Sequence, residues 1–201
     1  MPRDAADTRQ RLIDAGRQLF ASAGVHTTSL KAVVDAAGQR NTSALHYHFG
    51  GRDGLLAAIL DVHNARIEEE RRQILDDTGD RPSLDRLVAA VVLPQASLLH
   101  ASDGRAFLSI VSQLSDLFDR WEDGATPEQA FRAFVGIKDL LPPTLAENLR
   151  HERVTRFLEL VSQALGSRAR QIDAERTPAV THEIWVDNLM AMAVGALSAS
   201  G

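Results

Sequence analysis

Residues 38–55 read GQRNTSALHYHFGGRDGL, a short polar segment enclosed between two glycine turns. Its middle suits a helix of about two turns. Leu45 and Phe49, four apart, face one way, while Asn41, Thr42, Ser43, His46 and Tyr47 face the other. A helix that gives so much surface to small donors, acceptors and one aromatic ring is poorly made for a core. It suits a DNA major groove, where base edges present donors and acceptors in a readable pattern.

Working outward, the apolar residues before this segment recur at helical spacing. A first helix is expected from Asp7, with Gln10 completing a capping box, to Gly24, through Leu12, Ile13, Leu19, Phe20 and Ala23. A second is expected over Thr28–Ala37, buried through Leu30, Val33 and Val34, and a third over Thr42–Phe49. Three short helices within some fifty residues, the last two joined by a tight turn, form a helix-turn-helix unit. Residues 1–51 are therefore read as a DNA-binding domain and 52–201 as a second, helical domain.

Beyond Arg52 a longer helix is expected through Leu55, Ile59, His63 and Ile67, fraying in the polar stretch Asp76–Pro82. Ser83 caps a fifth, which Pro94 should kink or end. Phe107, Val111, Leu114 and Phe118 mark a sixth, and Pro127 opens a seventh that Pro142-Pro143 stop. Thr144 with Glu147 is expected to cap an eighth that ends at Gly166, with Ser167–Pro178 as a loop and a last helix over Thr181–Ala199. No segment alternates long enough for a strand, so the fold class is all-α.

Composition narrows the function classes. There is no cysteine among 201 residues, so disulfides, thiolate metal sites and thiol nucleophiles are excluded. No apolar run approaches the ~18 residues of a membrane span and the first thirty residues lack a signal core, so a cytoplasmic protein without membrane contact is expected. The net charge of −5 conceals an asymmetry. Residues 1–55 carry seven Lys+Arg against five Asp+Glu, a balance of +2, and residues 56–201 fifteen against twenty-two, a balance of −7. That fits a nucleic-acid end on an acidic body.

With LHYHFGGRDGLL at 45–56 preceded by GVHTTSLKAVVDAAG at 24–38, residues 8–60 resemble the TetR/AcrR family of transcriptional regulators. The chain departs from the family pattern in one extra residue between Gly38 and the signature, and in His46 where tyrosine is usual. The resemblance implies a homodimer that binds a partly palindromic operator and is most often a repressor released by a small effector. It also implies that Tyr47 touches the phosphate backbone, with His46 beside it, that His48 braces the turn or meets a phosphate, and that Arg52 anchors a phosphate.

The residues themselves add candidates. Arg40, Asn41, Thr42 and Ser43 open the third helix; arginine pairs with guanine and asparagine with adenine, while one of Asn41 and Thr42 is expected to cap the helix. Thr28, opening the second helix, suits a phosphate, and Lys31 reaches a base or phosphate. His46 and His48 lie two apart, so their side chains diverge on a helix and no metal is expected. No cofactor is called for, and neither GxSxG, HExxH nor a phosphate loop supports an enzyme.

In the body, His63, Phe107, Val111, Leu114, Phe118, Trp121, Phe131 and Phe134 are candidates for an effector cavity, and their aromatic share suggests a largely apolar ligand. Val154, Phe157, Leu158 and Val161, with Trp185, Leu189, Met192 and Ala196, make two apolar faces expected to form a four-helix dimer interface. The fourth helix is the expected lever between cavity and DNA. The alternative is a helical ligand-binding protein or enzyme with no DNA role.

Overall fold

A computed structural model describes residues 2–77, 82–124 and 126–199. Among them are only helices: α1 (Pro2–Ala23), α2 (Leu30–Ala36), α3 (Ser43–Phe49), α4 (Arg52–Asp76), α5 (Leu84–Ala96), α6 (Ser102–Val111), α7 (Glu128–Leu140), α8 (Glu147–Asp173) and α9 (His182–Ser198). Two 3-10 turns, Ser97–His100 and Ser115–Arg120, follow α5 and α6. Most of the polar stretch at 76–82 lies outside the described residues.

Helices α1–α3 close over a small core of Leu12, Ile13, Phe20, Val25, Val33, Val34 and Leu45. That core does not end at residue 51. Leu55 and Ile59 of α4 are fully part of it, and so are Ile110 and Leu114 at the end of α6. A second core joins α4–α9 around Val88, Leu108, Ile137, Phe157 and Leu165. Thus α4 and α6 each belong to both cores.

Several local expectations are corrected. Helix α1 begins at Pro2, because proline is tolerated in a first turn. Asp7 is therefore interior, and instead of capping, its carbonyl accepts from Arg11 Nε at 3.3 Å. Ala23 is exposed. Ser29, and not Thr28, caps α2 by accepting from Ala32 N at 3.1 Å. Helix α6 stops at Val111, which puts Leu114 and Phe118 beyond its axis. No side chain caps α8: Ala146 holds the cap position, and Glu147 pairs with Lys138 at 2.6 Å.

Helix α8 also runs on through Gly166 to Asp173, so residues 167–173 are helix and not loop. The glycine is a contact point, not a stop. A Cβ there would lie 2.4 Å from Ser112 Cβ, so only glycine lets α8 cross the end of α6 at this distance. Pro94 sits in the last turn of α5 without breaking it. It lacks an N–H, so the Ala90 carbonyl one turn back has no helical donor. The buried Arg71 supplies one, donating from Nε to Ala90 O at 2.9 Å.

Candidate nucleic-acid interface and internal cavity

Local chemistry sets the third helix in place. Gly38, with φ 68°, turns the chain out of α2, and Gln39 N donates back to Val34 O at 2.9 Å. Asn41 Oδ1 then accepts from Ser43 N and from Ser43 Oγ, both at 2.9 Å, while Thr42 makes no capping bond. Leu45 is buried, and Tyr47 on the opposite side is 84% exposed. Gly50, with φ 72°, ends α3. At Gly54 a Cβ would stand 1.8 Å from the Phe49 carbonyl, so glycine is what allows α4 to start against the end of α3.

One outward surface results. Arg40, Asn41, Ser43, His46 and Tyr47 are exposed, with Thr42 and His48 half-buried beside them. Arg40 makes no ion pair among the described residues, and Lys31, also exposed, lies 2.7 Å from Asp35. Ser29, which the sequence reading passed over, stands at the open end of α2. Its signal was the hydroxyl run at 27–29, of which only the last residue adjoins the apolar register of α2.

Two expected contact residues turn inward. Thr28 is buried and its hydroxyl donates to Leu19 O at 3.2 Å, leaving nothing for a phosphate. Arg52 donates from Nη1 to Val25 O and from Nη2 to Thr28 O at 2.7 Å, with its guanidinium over the Phe20 ring at 5.7 Å. It braces the loop before α2. The loop carbonyls of Val25 and Thr28 need donors and Arg52 supplies them, while the buried Thr28 hydroxyl takes the Leu19 carbonyl in the last turns of α1.

The body holds a half-open cavity of about 470 Å³ between α4, α5, α6, α7 and α8. Of the expected residues, Phe107, Val111, Phe118, Trp121 and Phe134 line it. Leu114 does not, being part of the N-terminal core, and Phe131 is 39% exposed with its ring 6.2 Å from Trp121. His63 packs outside the wall, its ring 5.2 Å from that of Phe107 and its Nε2 3.7 Å from Asp103. Burial lowers the His63 pKa, and Asp103 opposes this in part.

Unforeseen in sequence are the polar lining residues Asn64, Glu68, Arg71, Gln95 and Ser162, with Arg120, Asp123 and Thr126 beyond α6. The Arg71 guanidinium contacts Glu68 Oε1, and Glu68 Oε2 accepts from Gln129 N at 2.8 Å, tying α4 to the first turn of α7. Burial pulls the Arg71 pKa down while Glu68 pushes it back up, and the guanidinium stays charged.

Val154, Phe157, Leu158 and Val161 are each at most 6% exposed within one chain, as is Leu189. These residues therefore fill the chain's own core, and Leu158 and Val161 line the cavity. The apolar surface left outside is different. Ile184 and Met192 are 56% and 52% exposed. They fall at four-residue spacing with Asn188 and Ala196 along α9, beside the half-buried Leu160, Ala164 and Trp185.

A capped helix and an exposed helix across a glycine turn, carried on a larger helical body with a cavity, define a helix-turn-helix protein. Residues 12–59 match the family described as bacterial regulatory proteins, tetR family. The regulator TtgW of Pseudomonas putida, described as uncharacterized, is 31% identical over 108 residues, covering 54% of this chain and 75% of that protein. SrpR of Pseudomonas putida is 31% identical over 108 residues, and there the chain spans only 47% of the relative. By fold, a TetR-family regulator of Streptomyces coelicolor superposes with a TM-score of 0.52 at 20% identity, covering 96% of this chain and 95% of its own. The chain belongs to the TetR family of bacterial regulatory proteins.

Proposed function

We propose that the protein is a homodimeric repressor that binds a partly palindromic operator and is released when a small molecule fills the cavity in its body. Arg40, Asn41, Thr42, Ser43, His46 and Tyr47 read or grip the DNA, with Ser29, Lys31 and His48 at the edge of the contact. For Asn41 to pair bidentately with adenine it must give up its bond to Ser43, so Arg40 is the stronger reader. Excess acidity in the body does not oppose this, because the exposed reading surface itself carries Arg40 and two histidines.

One observation carries the proposal. Helix α6 has Phe107 and Val111 on the cavity wall, whereas its Ile110, with Leu114 just beyond its end, belongs to the N-terminal core. Gln113, two residues past α6, accepts from Val25 N at 2.8 Å and donates to Phe20 O at 3.1 Å. Filling the cavity therefore displaces an element that also holds the DNA-binding unit, and α4 runs in parallel from Leu55 to Arg71. By linkage, ligand and operator weaken each other equally when they favour different states.

The dimer is assigned to the α8–α9 surface around Leu160, Ala164, Ile184, Met192 and Ala196. Arg168 supports this face. It is buried, stands over the Trp185 ring at 5.3 Å, and has no carboxylate partner among the described residues. Selection of genomic fragments by the purified protein, with gel shifts across a salt series, tests the whole reading. A single selected sequence with two half-sites and steep salt dependence is expected. Failure to select any sequence refutes operator binding. Met192→Glu should give a folded monomer by light scattering, whereas Leu158→Glu should unfold the body; a dimeric Met192→Glu protein refutes the assigned face.

A further inference from the structure

We infer that the effector is an apolar molecule whose polar end is an uncharged oxygen acceptor, such as a ketone, ester or amide carbonyl, held by Arg71. This rests on the cavity being the effector site. Glu68 has no unused oxygen: one meets Arg71 and the other accepts from Gln129 N. Arg71 spends Nε on Ala90 O and Nη1 on Glu68, while Nη2 has no hydrogen-bond partner among the described residues. Ser162 Oγ is likewise buried without a partner, and Gln95 has already given its Nε2 to Val91 O at 3.0 Å.

Among the described residues, the buried lining atoms without a partner are Ser162 Oγ and the indole Nε1 of Trp121. The unspent buried capacity of the cavity is therefore mainly donor capacity, beside a guanidinium whose charge Glu68 already balances. The lining's other charged residues, Arg120 and Asp123, are exposed and pair with each other at 3.0 Å, so a cationic ligand meets no unpaired carboxylate and stands beside the Arg71 guanidinium. A carboxylate ligand brings a second anion next to Glu68, while the other cation of the lining, Arg120, is already paired with Asp123. A neutral carbonyl adds no charge and still receives a charge-assisted hydrogen bond. Arg105 and Arg132 are not in the lining and are engaged elsewhere, Arg105 with Asp173 at 2.5 Å and Arg132 with Asp76 at 3.5 Å. The apolar remainder of such a molecule would lie against Phe107, Val111, Phe134, Leu158 and Val161.

Four para-substituted biphenyls of similar shape test this by calorimetry on the full chain: acetyl, ethyl, carboxylate and aminomethyl. The acetyl compound should bind tightest, ahead of the ethyl compound by on the order of tenfold, with the aminomethyl compound weakest. In Arg71→Met the acetyl preference over ethyl should fall to about one while ethylbiphenyl still binds, showing an intact cavity. If that variant does not fold, the acetyl carbonyl stretch in the wild-type complex replaces it, and a shift to lower frequency than in hexane is expected.

A carboxylate or amine that binds tightest, an acetyl compound no better than ethyl, a preference that survives Arg71→Met, or an unshifted carbonyl stretch each overturns the inference and leaves the cavity reading standing. If none of the four binds, the cavity is not the effector site, and the reading beneath falls with the inference.

Discussion

Replacing Gln113 by methionine keeps the length and volume of the side chain and removes only its amide. In the structure that amide accepts from Val25 N at 2.8 Å and donates to Phe20 O at 3.1 Å and Ser109 O at 2.9 Å. Val25 is 1% exposed, so its N–H has no water to turn to. Phe20 O keeps a partner, because Gly24 N also donates to it at 3.2 Å. The dominant loss is therefore one orphaned buried donor, about 1–3 kcal/mol, with roughly 1 kcal/mol more for the donated bonds. Urea unfolding at fixed protein concentration should show a deficit of about 2–4 kcal/mol. Hydrogen exchange should show the Val25 amide losing its protection. Because the same side chain joins the body to the loop before α2, any compound that releases DNA from the wild type should release it less effectively from the variant. A stability change under about 0.5 kcal/mol with Val25 still protected would refute the bridging role.

Arg52→Met should destabilise the DNA-binding unit by about 1–3 kcal/mol through the orphaned Val25 and Thr28 carbonyls, with the salt slope of operator binding unchanged. A slope shallower by about one unit per half-site would instead identify Arg52 as a phosphate anchor. Gly54→Ala forces a methyl into the Phe49 carbonyl and should cost about 1–3 kcal/mol or more and displace α3, read as reduced thermal stability together with lost operator binding. Normal operator affinity in that variant would show that the α3–α4 junction can give. His63 is buried with its pKa below the ordinary imidazole value of 6.5, by burial first and by Arg17 and Arg66, with Asp103 opposing. The unfolded chain then binds the proton more readily, so this contribution is present above pH 6.5 and lost as pH falls through the lowered folded value. His63→Leu should flatten the decline in stability over that window, and an unchanged pH profile would show the group to be free to titrate.

The helix-turn-helix unit was legible in the sequence because its determinants are local. Gly38 and Gly50 set turns by their own φ, Leu45 faces inward by spacing from its neighbours, and the polar side of α3 follows from what remains. Ser83 caps α5 as read, and Thr181, read as the start of the last helix, caps α9, again through atoms three residues away. The body was legible only as helices. Its two long final helices each carry apolar residues on more than one side, and periodicity does not say which side meets the chain's own core, a cavity or a second copy. Packing assigned Phe157, Leu158, Val161 and Leu189 inward and left Ile184 and Met192 outside.

Gly166 looks like a helix end by composition and is a crossing point, because Ser112 of a distant segment lies where its Cβ would be. Thr28 and Arg52 look like phosphate ligands by position, yet the carbonyls of Leu19, Val25 and Thr28 claim them first. Arg71 looks like one more solvated helix charge. It became a cavity donor only because Pro94, on another helix, freed the Ala90 carbonyl that fixes it. Sequence by itself determined the elements whose stabilising partners lie within a turn or two along the chain. Tertiary structure alone decided the rest, since a buried polar group takes the nearest free partner in space, and distance in space is not written in the order of residues.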